Sequence, residues 1–192
     1  MNQSLSPAKI LRRAAARYKR ARNRFARNQN GMAAIEMAFV FPVMLLVYFG
    51  LIDLTDLLSA NRRVTLAAST IGDLVTQANG TIPAADLTGF YKSVRPIMEP
   101  FPWNTVKIQI YNFRKVGTTP TLQWQHSNGQ SCGGAPSAAN LLPLMTENND
   151  LIIARVCITV TVMVGKLLGK ETFDFKDEII LRPRMGLTLN LT

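Results

Sequence analysis

From Met32 to Ile52 the chain runs 21 residues with one charge, Glu36. At about 1.5 Å of helix rise per residue, such a run crosses the ~30 Å hydrocarbon core of a bilayer. The helical pattern continues beyond it. Leu54, Leu57, Leu58, Asn61, Thr65, Ala68, Ile71, Leu74 and Val75 recur at spacings of three and four, one stripe of an amphipathic helix. Asp53, Asp56, Arg62, Arg63 and Asp73 fall mostly off that stripe, and Asn79-Gly80 supplies a stop. The pattern predicts one helix from about Met32 to Ala78, on the order of 70 Å long. Its first half suits lipid and its second half suits a soluble domain. Pro42 removes one backbone hydrogen bond and predicts a bend in the apolar half.

A second helix is predicted over Pro83–Met98, with Leu87, Tyr91 and Val94 inward and Pro96, Pro100 and Pro102 ending it. The period then changes to two. Val106, Ile108 and Ile110 alternate with Lys107 and Gln109, and Leu122, Trp124 and His126 alternate after a turn at Gly117–Pro120, predicting a hairpin over 104–126. Residues 127–137 read as loop, and Ser137 to Glu147 as one or two helical turns interrupted by Pro143. Leu151 to Val164 carries the clearest strand pattern, with Val156, Ile158, Val160, Val162 and Val164 on one face and Arg155, Cys157, Thr159 and Thr161 on the other. Phe173 to Phe175 and Ile179 to Arg182 close the series as the last strands. The fold class is α+β: a long N-terminal transmembrane and amphipathic helix, then a small antiparallel sheet with segregated helices.

Charge sharpens this picture. The net +10 of the 192-residue chain is concentrated in residues 1–31, which hold nine Lys or Arg and no acid. The remainder holds thirteen basic and twelve acidic side chains. A basic body for nucleic acid is therefore lacking, and the tail argues about location. It suits either a basic helix on anionic lipid or a disordered tail. By the positive-inside rule the N-terminus is cytoplasmic and the C-terminal part lies across the membrane. The apolar run exceeds the ~7–15 residues of a signal-peptide core, and Leu51-Ile52-Asp53 is a poor signal-peptidase site. Cys132 and Cys157 then lie where disulfides persist, and their even count fits one bridge; two unpaired buried thiols are the alternative. The organisation expected is a basic leader 1–31, a span 32–52, a helix extension 53–80 and an extracytoplasmic domain 81–192.

Catalytic signals are poor. The one histidine, His126, sits at a strand end and reads as solvated or hydrogen-bonded. HExxH, GxSxG, P-loop and CxxC patterns are missing, so no catalytic residue, metal or cofactor is expected. Asp53 and Asp56 read as interfacial carboxylates, with weak cation binding as the sharper alternative. Trp103 and Trp124 read as packing residues, and Gly133-Gly134 as turn chemistry. Glu36 is different. A carboxylate within an apolar span is costly and wants a partner. A cut after Gly31 would make Met32 a free α-amine, one helical turn below Glu36 on the same face. Glu36 would then pair with its own amine or with that of a neighbouring copy.

The residues Gly31-x-x-x-x-Glu36 after a basic leader, with an unbroken apolar helix following, resemble the prepilin cleavage site of type IV pilin-like proteins. Pro42, the Phe49-Gly50-Leu51-Ile52-Asp53 exit and the stretch 67–77 narrow the resemblance to TadE-like proteins, minor pilins or pseudopilins of the Tad (tight adherence) pilus system. Residues 179–184 also look like that family's closing strand. The specific resemblance covers about residues 24–78, and Met37 departs from the Tyr or Phe that often follows the motif glutamate. The resemblance implies a pilin-like fold, no enzyme activity and cleavage by a prepilin peptidase at the Gly31–Met32 bond. It implies as partners other Tad pilins, the inner-membrane assembly platform and membrane lipid, with no nucleic acid. An uncleaved single-span envelope protein with a ligand-binding or sensing outer domain is the rival reading.

Overall fold

The computed structural model describes residues 17–24, 30–167 and 169–192. The readings of the leader as a lipid-lying helix or a disordered tail fall largely outside these residues; 17–24 are helical. Two compact units, residues 1–48 and 49–192, divide the chain. Helix α1 (Asn30–Thr76) contributes to both and contains Pro42. In the first unit every residue from Gly31 to Tyr48 is exposed.

In the second unit, β1 (Thr81–Ile82) leads into α2 (Ala84–Met98), then a 3₁₀ turn at Trp103–Thr105. The hairpin β2 (Lys107–Val116) and β3 (Thr119–Ser127) follows, then α3 (Ala138–Leu141) and a second 3₁₀ turn at Leu142–Leu144. The chain continues through β4 (Asp150–Thr161), α4 (Met163–Leu167), β5 (Thr172–Leu181) and β6 (Asn190–Leu191). The main sheet has the order β3-β2-β4-β5, antiparallel throughout. A separate parallel pair joins β1 to β6, with Thr81 opposite Asn190 and Ile82 opposite Leu191.

Central strand β4 is buried on both faces, which explains its dense apolar composition. Ile152, Ala154, Val156, Ile158 and Val160 meet the buried residues of α1 and α2, including Val64, Ile71, Leu87 and Val94. Leu151 and Ile153 pack on the other face with Tyr111, Phe113, Leu141 and Met145. α1 packs tightly on the sheet at Gly72, where a Cβ would lie 2.7 Å from Leu181 Cδ1 and 3.0 Å from Ile179 Cγ2.

Several elements differ from expectation. The buried stripe of α1 runs through Ala60, Val64, Ala67, Ala68, Ile71 and Val75, while Leu54, Leu58, Asn61 and Thr65 are exposed. Near its start the predicted stripe is thus about one residue, or 100°, out of phase. Small alanines, rather than the larger leucines, face the sheet because they allow the helix to come close. Pro96 lies inside α2, not at its end, and Pro83 is the N-cap. Pro120 belongs to β3, where an edge strand tolerates the missing N–H. A bulge at Gln123 places Trp124 opposite Asn112 but Leu122 opposite Phe113, two residues on opposite faces. Leu122 thereby leaves the helix side. Val164 lies in α4 beyond the end of β4, and the two last strands are one continuous strand, β5.

Candidate functional site

The first unit presents its apolar residues to every side. Met32, Ile35, Met37, Phe39 and Phe41 are 55–75 % exposed, and the exposed Glu36 stands among them. A helix apolar all round requires lipid or other helices as its surroundings. Among the described residues one helix, Gly31–Thr76, is long and apolar enough to cross a membrane. The Gly31–Met32 bond falls in the first turn of α1, and nothing lies within 4 Å of where a Gly31 Cβ would be. Pro42 sits about three turns above Gly31 without ending the helix.

Where the apolar run ends, the structure gives Asp53 a partner that sequence reasoning missed. Its carboxylate accepts the backbone N–H groups of Met163 at 3.0 Å and Val164 at 2.7 Å, the start of α4. Asp53 thus fastens the β4–β5 connection to α1, whereas Asp56 is exposed. Among the described residues no cluster of three or more His, Cys, Asp or Glu could hold a metal ion.

Cys132 and Cys157 form a disulfide with Cα atoms 5.8 Å apart. Cys157 points from β4 away from the helices, so the bridge draws the 127–137 loop over the second face of the sheet. Arg155 completes the closure. Its guanidinium donates to Gly134 O at 2.7 Å and to Glu178 Oε2 at 2.8 and 2.9 Å, and lies 5.4 Å from the Tyr111 ring centroid. Gly133 has φ +108°, so glycine suits this turn.

On the helix side, Tyr91 Oη and His126 Nδ1 are 2.8 Å apart and their rings stack at 5.6 Å. Trp124 Nε1 donates to Leu189 O at 2.8 Å, and Trp103 packs against the core. Burial raises the Tyr91 phenol and lowers the His126 imidazole from their ordinary values. With its folded-state value depressed, His126 resists the proton that the unfolded chain takes up below about pH 6.5. Its contribution to stability is full above that pH and declines as the pH falls toward the folded value. Thermal midpoints measured from pH 7.5 to 5 should therefore fall more steeply in the native protein than in His126→Gln. Parallel curves would remove this role.

A further site escaped the sequence. Asp150, buried at the start of β4, accepts Asn112 Nδ2 at 2.8 Å, Leu189 N at 2.6 Å and Arg114 Nε and Nη2 at 2.5 and 3.0 Å. Its hydrogen bond raises the Arg114 guanidinium above its ordinary value. Asn112, a lone amide between apolar Tyr111 and Phe113, was the signal available. Between α1 and α2 lies an open groove of about 500 Å³, lined by Thr55, Leu58, Ser59, Arg62, Leu66 and Ile97 among others.

The family model described as TadE-like protein matches residues 31–72, from the glycine before the apolar run to the Gly72 contact with the sheet. No curated protein and no solved structure gives a significant match.

Proposed function

From the TadE-like segment at residues 31–72 we propose that this chain is a minor pilin or pseudopilin, taking part in assembly of a Tad-type, type IV-like pilus or secretion machine. The observation that carries the reading is the coincidence of that match with a helix whose apolar residues are exposed on all sides and interrupted by one carboxylate. Residues 1–31 are a cytoplasmic leader, removed by a prepilin peptidase after Gly31. Residues 32–52 hold the protein in the inner membrane, with the disulfide-bearing domain 81–192 outside the cytoplasm. During assembly the same apolar surface packs against the helices of other Tad pilins on the inner-membrane platform. Glu36 pairs with the new α-amine of Met32, its own or a neighbour's, and Pro42 bends the packed helix. The chain acts by contact rather than catalysis.

Mass spectrometry of the membrane-extracted protein tests the cut directly. The expected N-terminal residue is Met32. Intact residues 1–31 on the assembled form would favour the uncleaved envelope protein. Glu36→Ala is expected to be processed normally yet to enter pili at least tenfold less, read by immunoblot of the sheared fraction. Undiminished incorporation would remove the pairing role.

A further inference from the structure

We propose that the connection between β4 and β5 is a second membrane contact, with α4 lying in the lipid–water boundary beside the point where α1 leaves the bilayer. The inference rests on the reading of residues 32–52 as a span. Asp53 is the first charge after that run, and Leu51 and Ile52 before it are exposed. Asp53 therefore marks the outer edge of the hydrocarbon. Its two hydrogen bonds to Met163 and Val164 hold the first residues of α4 at that depth.

The residues held there suit a lipid interface. Met163 and Leu167, four apart on one face, are 73 % and 74 % exposed, more than any other large apolar side chain described in residues 49–192. Lys166 lies between them in sequence; its side chain is 72 % exposed and its amine, 3.5 Å from the exposed Glu171 carboxylate, can sit at headgroup level while the stem lies on apolar surface. A short helix with an apolar face and a cationic flank rests in the headgroup–acyl boundary. The presentation is built into the fold rather than left to a loose loop. At Gly165 a Cβ would lie 2.3 Å from Lys170 O and from Val162 Cγ2, so only glycine allows the crossing. Lys170 N donates to Gly165 O at 2.8 Å and Val162 N to Glu171 O at 3.0 Å, closing the turn. A headgroup-level amine and two acyl-facing side chains on a fastened turn would set how closely the sheet domain approaches the membrane before assembly.

The test uses the full oxidised chain, whose native cysteines are joined, carrying Leu167→Cys labelled with the fluorophore NBD. The protein is reconstituted in phosphatidylcholine/phosphatidylglycerol vesicles with and without a spin-labelled lipid quencher. Val116→Cys is the comparison, since Val116 lies beyond the Asp150 end of the sheet, opposite the Thr161 end that leads into α4. The expected result is blue-shifted emission at 167, with lipid quenching at least threefold greater than at 116. Asp53→Ala should reduce the quenching at 167 while leaving 116 and the circular dichroism spectrum unchanged. Equal quenching at the two positions in protein that floats with vesicles overturns this contact alone. Blue-shifted emission without lipid quenching overturns it in favour of a protein neighbour. Protein that fails to float overturns the span and this contact together.

Discussion

Replacing Asp150 by alanine is expected to destabilise the sheet domain by about 3–5 kcal/mol, the range for breaking a buried ion pair from one side. The carboxylate is fully enclosed and takes four hydrogen bonds from three residues. Its removal leaves the Leu189 N–H buried without its acceptor and the half-buried Arg114 without its counter-charge. The thermal midpoint of the detergent-solubilised protein should fall by roughly 10 °C, at about 2–4 °C per kcal/mol for a domain of this size. In an Arg114→Met background the same change should be smaller, the difference giving the coupling of the pair. A loss under about 1 kcal/mol in the native background would show that water replaces the carboxylate, and would contradict its burial.

The second large effect is expected from the disulfide. With 25 residues of sequence separation, the chain-entropy model assigns the bridge roughly 3.5 kcal/mol, acting on the unfolded chain. Cys157→Ser should lower stability by about that amount and also have a local signature. Without the bridge, the 127–137 loop keeps the Arg155 bond to Gly134 O and the hydrogen bonds of Asn128, Ser131 and Cys132 with the β2 side, while its covalent tie to β4 is gone. Amides at 128–136 should then exchange with solvent sooner than those of the α1–β4 core, read by hydrogen exchange with mass spectrometry. Uniform acceleration across the domain would show instead that loop and core open as one unit.

Both effects fall on contacts of differing legibility. The bridge was expected from an even cysteine count and from the expectation, by the positive-inside rule, that both cysteines lie outside the cytoplasm. Alternation at Val156, Ile158 and Val160 placed the helix-facing side of β4, since period-two burial is a local property of the chain. The closure of Cys132 over the far face followed from the opposite orientation of Cys157. Asp150 and Asn112 escaped because their burial depends on Leu189, 39 residues beyond Asp150. The early phase of the α1 stripe escaped for a related reason. Leucines at 54 and 58 advertise an apolar face, but the sheet selects the alanine side, where backbone approach is closer. Of the N-terminal constellation, Gly31, Met32, Glu36 and Pro42 were legible as a motif. The chemistry proposed for them involves a cut and a new amine, on the same chain or a neighbour, which one chain's packing does not encode.

The parallel pairing of β1 with β6 has a mechanical consequence. Asn190 N donates to Gly80 O, Thr192 N to Ile82 O and Ala84 N to Thr192 O, at 2.8–3.0 Å. β1 follows the long helix directly, and β6 lies beside it in the same direction. A pull applied between α1 and Thr192 draws the two strands past each other along their length. These three bonds then take the load together, in shear, rather than opening one at a time. A tether or tag attached after Thr192 would therefore transmit force into the segment at the foot of α1 before the four-stranded sheet is strained.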